Sequence, residues 1–285
     1  MQRRTFRAMG TEIELLVEAD EAEQSLEAAE REFHRLEALL SRFREDSELS
    51  RLNAAGSLDA GPDLVRVVEL ALAARERTGG RFDPTVHDAL VAAGYDRSFE
   101  LVHAARDEDA LPGTPTGRSA GIRVWGERIE LEPGVRVDLG GIGKGYASER
   151  AAEILATAGP CLVNGGGDIA TRGGAWTVGV DTADEPLTLE LSASSALATS
   201  GRDRRRWQRG GRELHHLIDP WTGLPAETDL VRVTVVAHDA VEAEVAAKAL
   251  FLVGSAVAAA EADETGMPAI LVTDTGRTVL AGGLA

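Results

Sequence analysis

The stretch from Val135 to Ala147 brings together a carboxylate at Asp138, four glycines and an amine at Lys144, where a β-branched strand gives way to a helix. That combination suits a phosphate. Glycine lets backbone N–H groups approach an anion, a helix N-terminus adds the positive end of its dipole, and lysine adds a full charge. The two common glycine-loop patterns fail here. A Walker A loop requires Gly where Asp138 stands and Ser or Thr where Gly145 stands, and a dinucleotide fingerprint starting at Gly141 requires Gly where Tyr146 stands. From the residues alone, a nucleotide loop and a plain strand-to-helix turn both stay open.

Other groups able to do chemistry are scattered along the chain. Asn164-Gly165-Gly166-Gly167-Asp168 is a second glycine run after a strand, which either lines the same cleft or makes a tight turn carrying Asp168. Thr199-Ser200-Gly201 reads as a small polar loop with hydroxyls to offer a phosphate. His215 and His216 precede Ile218-Asp219-Pro220. An imidazole suits proton transfer near neutral pH, although an isolated histidine is ordinarily structural, and Asp219 before proline reads as a loop-fixing residue. Met9, Phe43 and Phe82 are equally core residues or a platform for a ring, and Asp83 before Pro84 reads as a turn residue. Glu244 and Lys248 stand four apart on a helix, which predicts an intrahelical ion pair. Six arginines fall between Arg202 and Arg212, with Trp207 among them and Asp203 the one acid. They read as a solvated loop, with an anionic ligand or an acidic partner as the alternative.

The elements that must hold these groups follow from periodicity and punctuation. A strand over Thr5–Val17 precedes an amphipathic helix whose apolar positions include Leu26, Phe33, Leu36 and Leu40. A helix over 62–77 has Pro62 in its first turn and Thr78-Gly79-Gly80 as its stop. Residues 107–119, rich in Pro and Gly, read as a loop that could divide a single domain of 1–285 into two lobes. Strands over 122–125 and 128–131 make a hairpin around Gly126-Glu127. A helix from the glycine loop to about 158, strands near 161–164, 176–180, 187–191 and 231–236, helices over 241–253 and 255–264, and strands near 269–272 and 278–280 complete the chain. Hairpin strands with helices in separate blocks predict an α+β fold.

With 285 residues, 44% of them hydrophobic, the chain can build a sizeable core. A net charge of −17 argues against nucleic-acid or anionic-membrane binding, so a phosphate ligand must be met by local cations. The single cysteine, Cys161, excludes an intrachain disulfide and a Cys-based zinc site, and its apolar neighbours predict a core residue. No leader or membrane span is read at the N-terminus, and the expectation is therefore a cytoplasmic chain.

Taken in order, Ala8-Met9-Gly10-Thr11, Leu40-Ser41-Arg42-Phe43, Ser47-Glu48-Leu49 with Leu52-Asn53, Gly79-Gly80-Arg81-Phe82-Asp83-Pro84-Thr85-Val86, the glycine loop, Leu162–Ile169, Ala198–Gly201 and His215–Gly223 resemble the ApbE family of FAD:protein FMN transferases. The resemblance spans nearly the whole chain. It implies an ApbE-like, duplicated T-fold-like arrangement of mixed or antiparallel sheets with packed helices. The reaction it implies takes FMN from FAD to a Thr or Ser hydroxyl of an acceptor flavoprotein with an FMN-binding domain and releases AMP. A FAD-binding protein without transferase activity and a FAD pyrophosphatase are the alternatives, and monomer and homodimer both stay open. By the same resemblance Met9, Phe43, Phe82, Asp83, Asp138, Lys144 and His216 line the flavin dinucleotide, with Phe43 where tyrosine is more usual, and His216 is also the general base.

One departure stands out. The family usually carries Asp, then Thr or Asp four residues later, around a magnesium ion shared with a carbonyl at the position of Gly141. Here the pair is Glu244 and Lys248. Glu244 and Gly141 are the remaining metal ligands, and an ammonium cannot ligate a metal, so magnesium is doubtful. Lys248 then becomes a catalytic cation in its own right, an incomplete replacement for a Lewis acid.

Overall fold

The computed structural model describes residues 1–102, 116 and 119–284. It divides into two compact units, each assembled from separated segments: 1–37, 142–201 and 228–285 in the first, 38–141 and 202–227 in the second. The lobe division expected at 107–119 lies mostly outside the described residues.

The first unit is built on an eight-stranded antiparallel sheet whose strands lie in the order they occur in the chain: Gln2–Ala8, Thr11–Val17, Cys161–Asn164, Asp168–Arg172, Ala196–Gly201, Leu230–Ala237, Ala269–Thr273 and Thr278–Ala281. Helices α1 (Glu23–Leu40) and α5 (Gly143–Leu155) occur between the first and second strand pairs, and α6 (Ala240–Phe251) and α7 (Gly254–Thr265) between the third and fourth. Strand-strand-helix-helix-strand-strand thus occurs twice, as the α+β expectation and its duplication require. Alternation along the strands gives the sheet two buried faces. On one, Leu162, Ile169, Leu197 and Ile270 pack with Trp176, Val178, Val180 and Leu191 of the hairpin Trp176–Val180/Leu187–Leu191. On the other, Ala170, Ala196 and Ala198 are small enough for α5 and α6 to lie close against the strands.

The expected single strand Thr5–Val17 is two strands joined by Met9-Gly10, with φ of 52° and 70°. Positive φ at both central residues defines a type I′ hairpin turn, and methionine there hides the usual Asn-Gly or Asp-Gly signal. Thr199-Ser200-Gly201 is likewise strand and not loop: Thr199 Oγ1 lies 2.9 Å from Thr234 Oγ1 across the ladder, and Ser200 is buried. Cys161 is buried, and burial pushes its thiol up to about 11, which makes it an inert core residue.

The second unit holds a three-stranded sheet, Ser57–Asp59, Arg128–Leu131 and Ile122–Trp125, with α2 (Glu48–Ala55), α3 (Pro62–Arg77) and α4 (His87–Ala92). Helix α3 starts and stops where Pro62 and Thr78-Gly79 direct. Helix α2 was not foreseen. Its ends are nonetheless well marked: Ser47 accepts the Ser50 N–H at 2.9 Å, and Gly56 closes it in the left-handed conformation at φ 72°. The arginine-rich segment is a hairpin, Arg206–Arg209/Arg212–His215, rather than an open loop. Trp207 is buried with Leu90, Tyr95 and Ile218, and its indole donates to the Ala93 carbonyl at 2.8 Å.

Candidate functional site

In the first unit the chemistry gathers at the head of α5. This N-terminus has no side-chain cap of its own from Ile142. The buried Gly145 N–H, which has no partner within its own first turn, is instead met by Glu244 Oε2 of α6 at 2.9 Å. Glu244 can reach it because α5 and α6 approach to backbone contact. A Cβ on Gly145 would lie 2.5 Å from the Ala240 carbonyl oxygen, which is the reason for glycine where a Walker A loop would have a hydroxyl residue. Glu149 fixes the same approach by accepting the Ala240 N–H at 2.7 Å while pairing with Arg172, and Asp239 caps α6 through the Glu242 N–H at 2.8 Å.

Glu244 is 1% exposed and its other oxygen, Oε1, takes two ammonium groups, Lys144 at 3.0 Å and Lys248 at 3.2 Å. Lys144 also pairs with Asp168, which opens its strand after the glycine turn. In that turn the Gly167 N–H donates to Asn164 Oδ1 at 2.9 Å and the Gly165 N–H to the Asp168 carbonyl at 2.8 Å. The glycine run is therefore a tight turn that delivers Asp168 to Lys144. Two ammoniums and two carboxylates form one neutral cluster. Burial pushes the Glu244 carboxyl up, but Lys144, Lys248 and the Gly145 N–H outweigh it and hold the group at about 2. Burial raises Asp168 despite the pull of Lys144. Burial, with the like charge of Lys144, lowers Lys248 against the attraction of Glu244.

The donor set does not fit a divalent cation. Magnesium takes oxygen ligands in a near-octahedral shell. Both Glu244 oxygens are engaged by N–H donors, an ammonium occupies the position of a second ligand, and no group of three or more His, Cys, Asp or Glu side chains able to hold a metal occurs among the described residues.

In the second unit Asp138 is buried and pairs with Arg42 Nε at 2.7 Å, and its Oδ1 accepts the Gly140 N–H at 2.9 Å. It thus shapes the glycine turn as well as charging it. Asn53 holds the strand before it, giving Nδ2 to the Val137 carbonyl and accepting the Val137 N–H, each at 2.8 Å. The Arg42 guanidinium lies 4.2 Å from the Phe43 ring centroid and 4.6 Å from that of Tyr95. Phe43 is 37% exposed, with Tyr95 tilted against it at 5.6 Å between ring centroids, whereas Phe82 is buried in the core. Asp83 accepts the Thr85 N–H at 2.8 Å and Arg75 Nε at 2.9 Å, an anchored turn.

The two histidines separate cleanly. His215 Nδ1 accepts the Leu217 N–H at 3.3 Å, so its proton sits on Nε2, which donates to the Ala226 carbonyl at 3.1 Å. Burial lowers its pKa to about 4, and it is a neutral structural residue. His216 is half-buried.

In sequence, Asp138 and Lys144 bracket the glycine turn, and the structure adds a partner for each: Arg42 for the first, Asp168 and Glu244 for the second. Met9 stands at the strained hairpin turn of the first unit, its N–H donating to Glu37 Oε1 at 2.6 Å. Arg42, Tyr95 and Arg75 escaped sequence reasoning. The one available signal was Arg42 beside Phe43, a basic residue next to an aromatic one.

A duplicated antiparallel sheet with a charged glycine turn opening one of its helices defines an α+β architecture, and comparison with known proteins assigns it. Residues 9–271 match the model of the ApbE family, and the chain belongs to that family. It is 32% identical over 251 residues to the FAD:protein FMN transferase of Treponema pallidum, covering 76% of this chain and 68% of that protein. The FAD:protein FMN transferase of Escherichia coli K12 is 28% identical, with 95% of this chain and 83% of that protein covered. Among solved structures, the ApbE protein of Thermotoga maritima superposes with a TM-score of 0.85 at 25% identity, over 98% of this chain and 96% of that one. No helix among the described residues is long and apolar enough to cross a membrane.

Proposed function

We propose that this protein transfers FMN from FAD to a Thr or Ser hydroxyl of an acceptor flavoprotein. The acceptor oxygen attacks the FMN phosphorus, the pyrophosphate P–O bond to the adenylate breaks, and AMP leaves. His216 takes the hydroxyl proton, which makes a weak nucleophile competent. Lys144 and Lys248 offset charge on the pyrophosphate, and the N-terminus of α5 adds its dipole. Asp138, positioned by Arg42, and the exposed ring of Phe43 serve the flavin nucleotide, together with Met9, Phe82 and Asp83.

The single observation that carries this reading is the glycine turn at the head of α5, where membership of the ApbE family coincides with a Lys144 that is fixed by two carboxylates. Gly141 and Glu244 are given no metal in this reading, because both Glu244 oxygens already accept N–H donors. The neutral charge of the cluster also favours a second reading, a FAD-binding protein that leaves the pyrophosphate intact. Incubating the protein with FAD and an acceptor carrying an FMN-binding domain separates them. AMP together with in-gel flavin fluorescence on the acceptor is expected. Unchanged FAD would establish the binding protein, and AMP with free FMN would establish a pyrophosphatase.

A further inference from the structure

The buried charges of the first unit are layered. Asp168 and Glu244, with side chains 2% and 1% exposed, lie beneath Lys144 and Lys248, whose side chains are 16% and 18% exposed. The carboxylates have no outward role. Glu244 Oε1 takes both ammoniums, Glu244 Oε2 takes the Gly145 N–H, and Asp168 takes Lys144. Every charge of one sign already faces a charge of the other. A divalent ion entering here would have to displace an ammonium from Glu244 and then sit beside it. Lys248, in contrast, is tethered four residues from Glu244 on the same helix, and its Nζ spends at most two of its three hydrogens on that residue, on Oε1 at 3.2 Å and the carbonyl oxygen at 3.5 Å.

We propose that the Lys144–Asp168–Glu244–Lys248 quartet is a metal-free subsite for the pyrophosphate of a dinucleotide, in which the Lys248 ammonium is a cation built into the chain. The two carboxylates position the lysines, and the lysines meet the ligand. The identity of the dinucleotide as FAD rests on the functional reading above; the exclusion of a divalent ion rests on the quartet alone. A tethered cation cannot be chelated away, and it gives a pyrophosphate point-charge contacts without polarising an oxygen as a bound metal would.

Two measurements on the full chain test this. In the first, Mn²⁺ is titrated as a magnesium surrogate and followed by its electron paramagnetic resonance signal. The wild type should take up no stoichiometric ion, whereas the double variant Glu244→Asp with Lys248→Thr should bind one that magnesium displaces. In the second, FAD binding is followed by flavin fluorescence. Wild-type affinity should be the same in EDTA as in magnesium. Lys248→Met should weaken binding about tenfold or more, with Lys248→Arg staying within a few-fold of wild type, a tenfold change in Kd being about 1.4 kcal/mol. One Mn²⁺ bound per wild-type chain, or a loss of FAD affinity of about tenfold in EDTA, overturns the proposal and leaves the functional reading standing. Equal affinity of Lys248→Met and wild type also overturns it. FAD failing to bind in either buffer would instead remove the functional reading, and the pyrophosphate subsite with it.

Discussion

Acidification should cost this protein stability through one side chain, His215. In the folded chain its imidazole is 7% exposed and is held neutral by the Leu217 N–H and the Ala226 carbonyl, with a pKa lowered by burial from 6.5 to about 4. In the unfolded chain the same imidazole takes up a proton near 6.5. Between those values the unfolded state binds more protons, so the stability present above the unfolded pKa is lost as the pH falls toward the folded one. One pKa unit is about 1.4 kcal/mol, and integrating from about pH 7 to about pH 4.5 gives a loss of about 2 kcal/mol from this group. Carboxylates titrate over the same range, so the informative quantity is a difference between two chains. Urea unfolding should be run at both pH values on the wild type and on His215→Gln, whose amide keeps a donor near the Nε2 position and does not titrate. The variant should be about 1 kcal/mol less stable at neutral pH, because the Leu217 N–H loses its acceptor. That deficit should close and reverse on acidification. If the two chains lose stability in parallel, His215 is not held neutral in the folded state and the reasoning fails.

His216→Ala should bind FAD as the wild type does and lose flavinylation of the acceptor by roughly two to four orders of magnitude, the range for removing a general base; a wild-type rate would rule that role out. Gly145→Ala places a Cβ 2.5 Å from the Ala240 carbonyl oxygen and should lower stability by about 1–3 kcal/mol in thermal unfolding. An unchanged melting temperature would mean that α5 and α6 part readily. Met9→Gly should relieve a left-handed backbone at φ 52° and raise stability by about 1 kcal/mol, while FAD binding, measured by fluorescence, should weaken through the lost side chain. A variant that binds FAD as tightly as wild type would take Met9 out of the site.

Where chain punctuation was strong, sequence and structure agree closely. Pro62 and Thr78-Gly79 bound α3, and Gly126-Glu127 turns the hairpin Ile122–Trp125/Arg128–Leu131, because in each case a few adjacent residues decide the conformation. Helix α2 escaped because its eight residues span too few turns to show a periodic apolar face, although Leu49 and Leu52 are buried as a face would require. The turn at Met9-Gly10 escaped because its residues lack turn chemistry and the flanking strands impose the conformation. At the site, Glu244 and Lys248 were legible as an ion pair because they share one helix. Their link to Lys144 and Asp168 was not, since it joins residues as much as 100 positions apart and depends on how closely α5 and α6 pack. The roles of Ser47 and Asn53 became readable only with coordinates: one caps α2, and the other locks Val137 beside Asp138.

The order of segments also bears on how the chain is made. All the segments of the second unit have been synthesised once residue 227 has left the ribosome, whereas the sheet of the first unit needs strands as late as Thr278–Ala281. Its second strand, Thr11–Val17, must wait for Cys161–Asn164 before that edge can pair. The first hairpin therefore waits through the synthesis of residues 18–160 with an open edge and an unburied face. Loop closure of this length is slow, and an exposed strand edge invites pairing with other chains. Overexpressed protein should thus be most vulnerable to aggregation while nascent, and supply of a chaperone that shields apolar strands should raise the soluble yield.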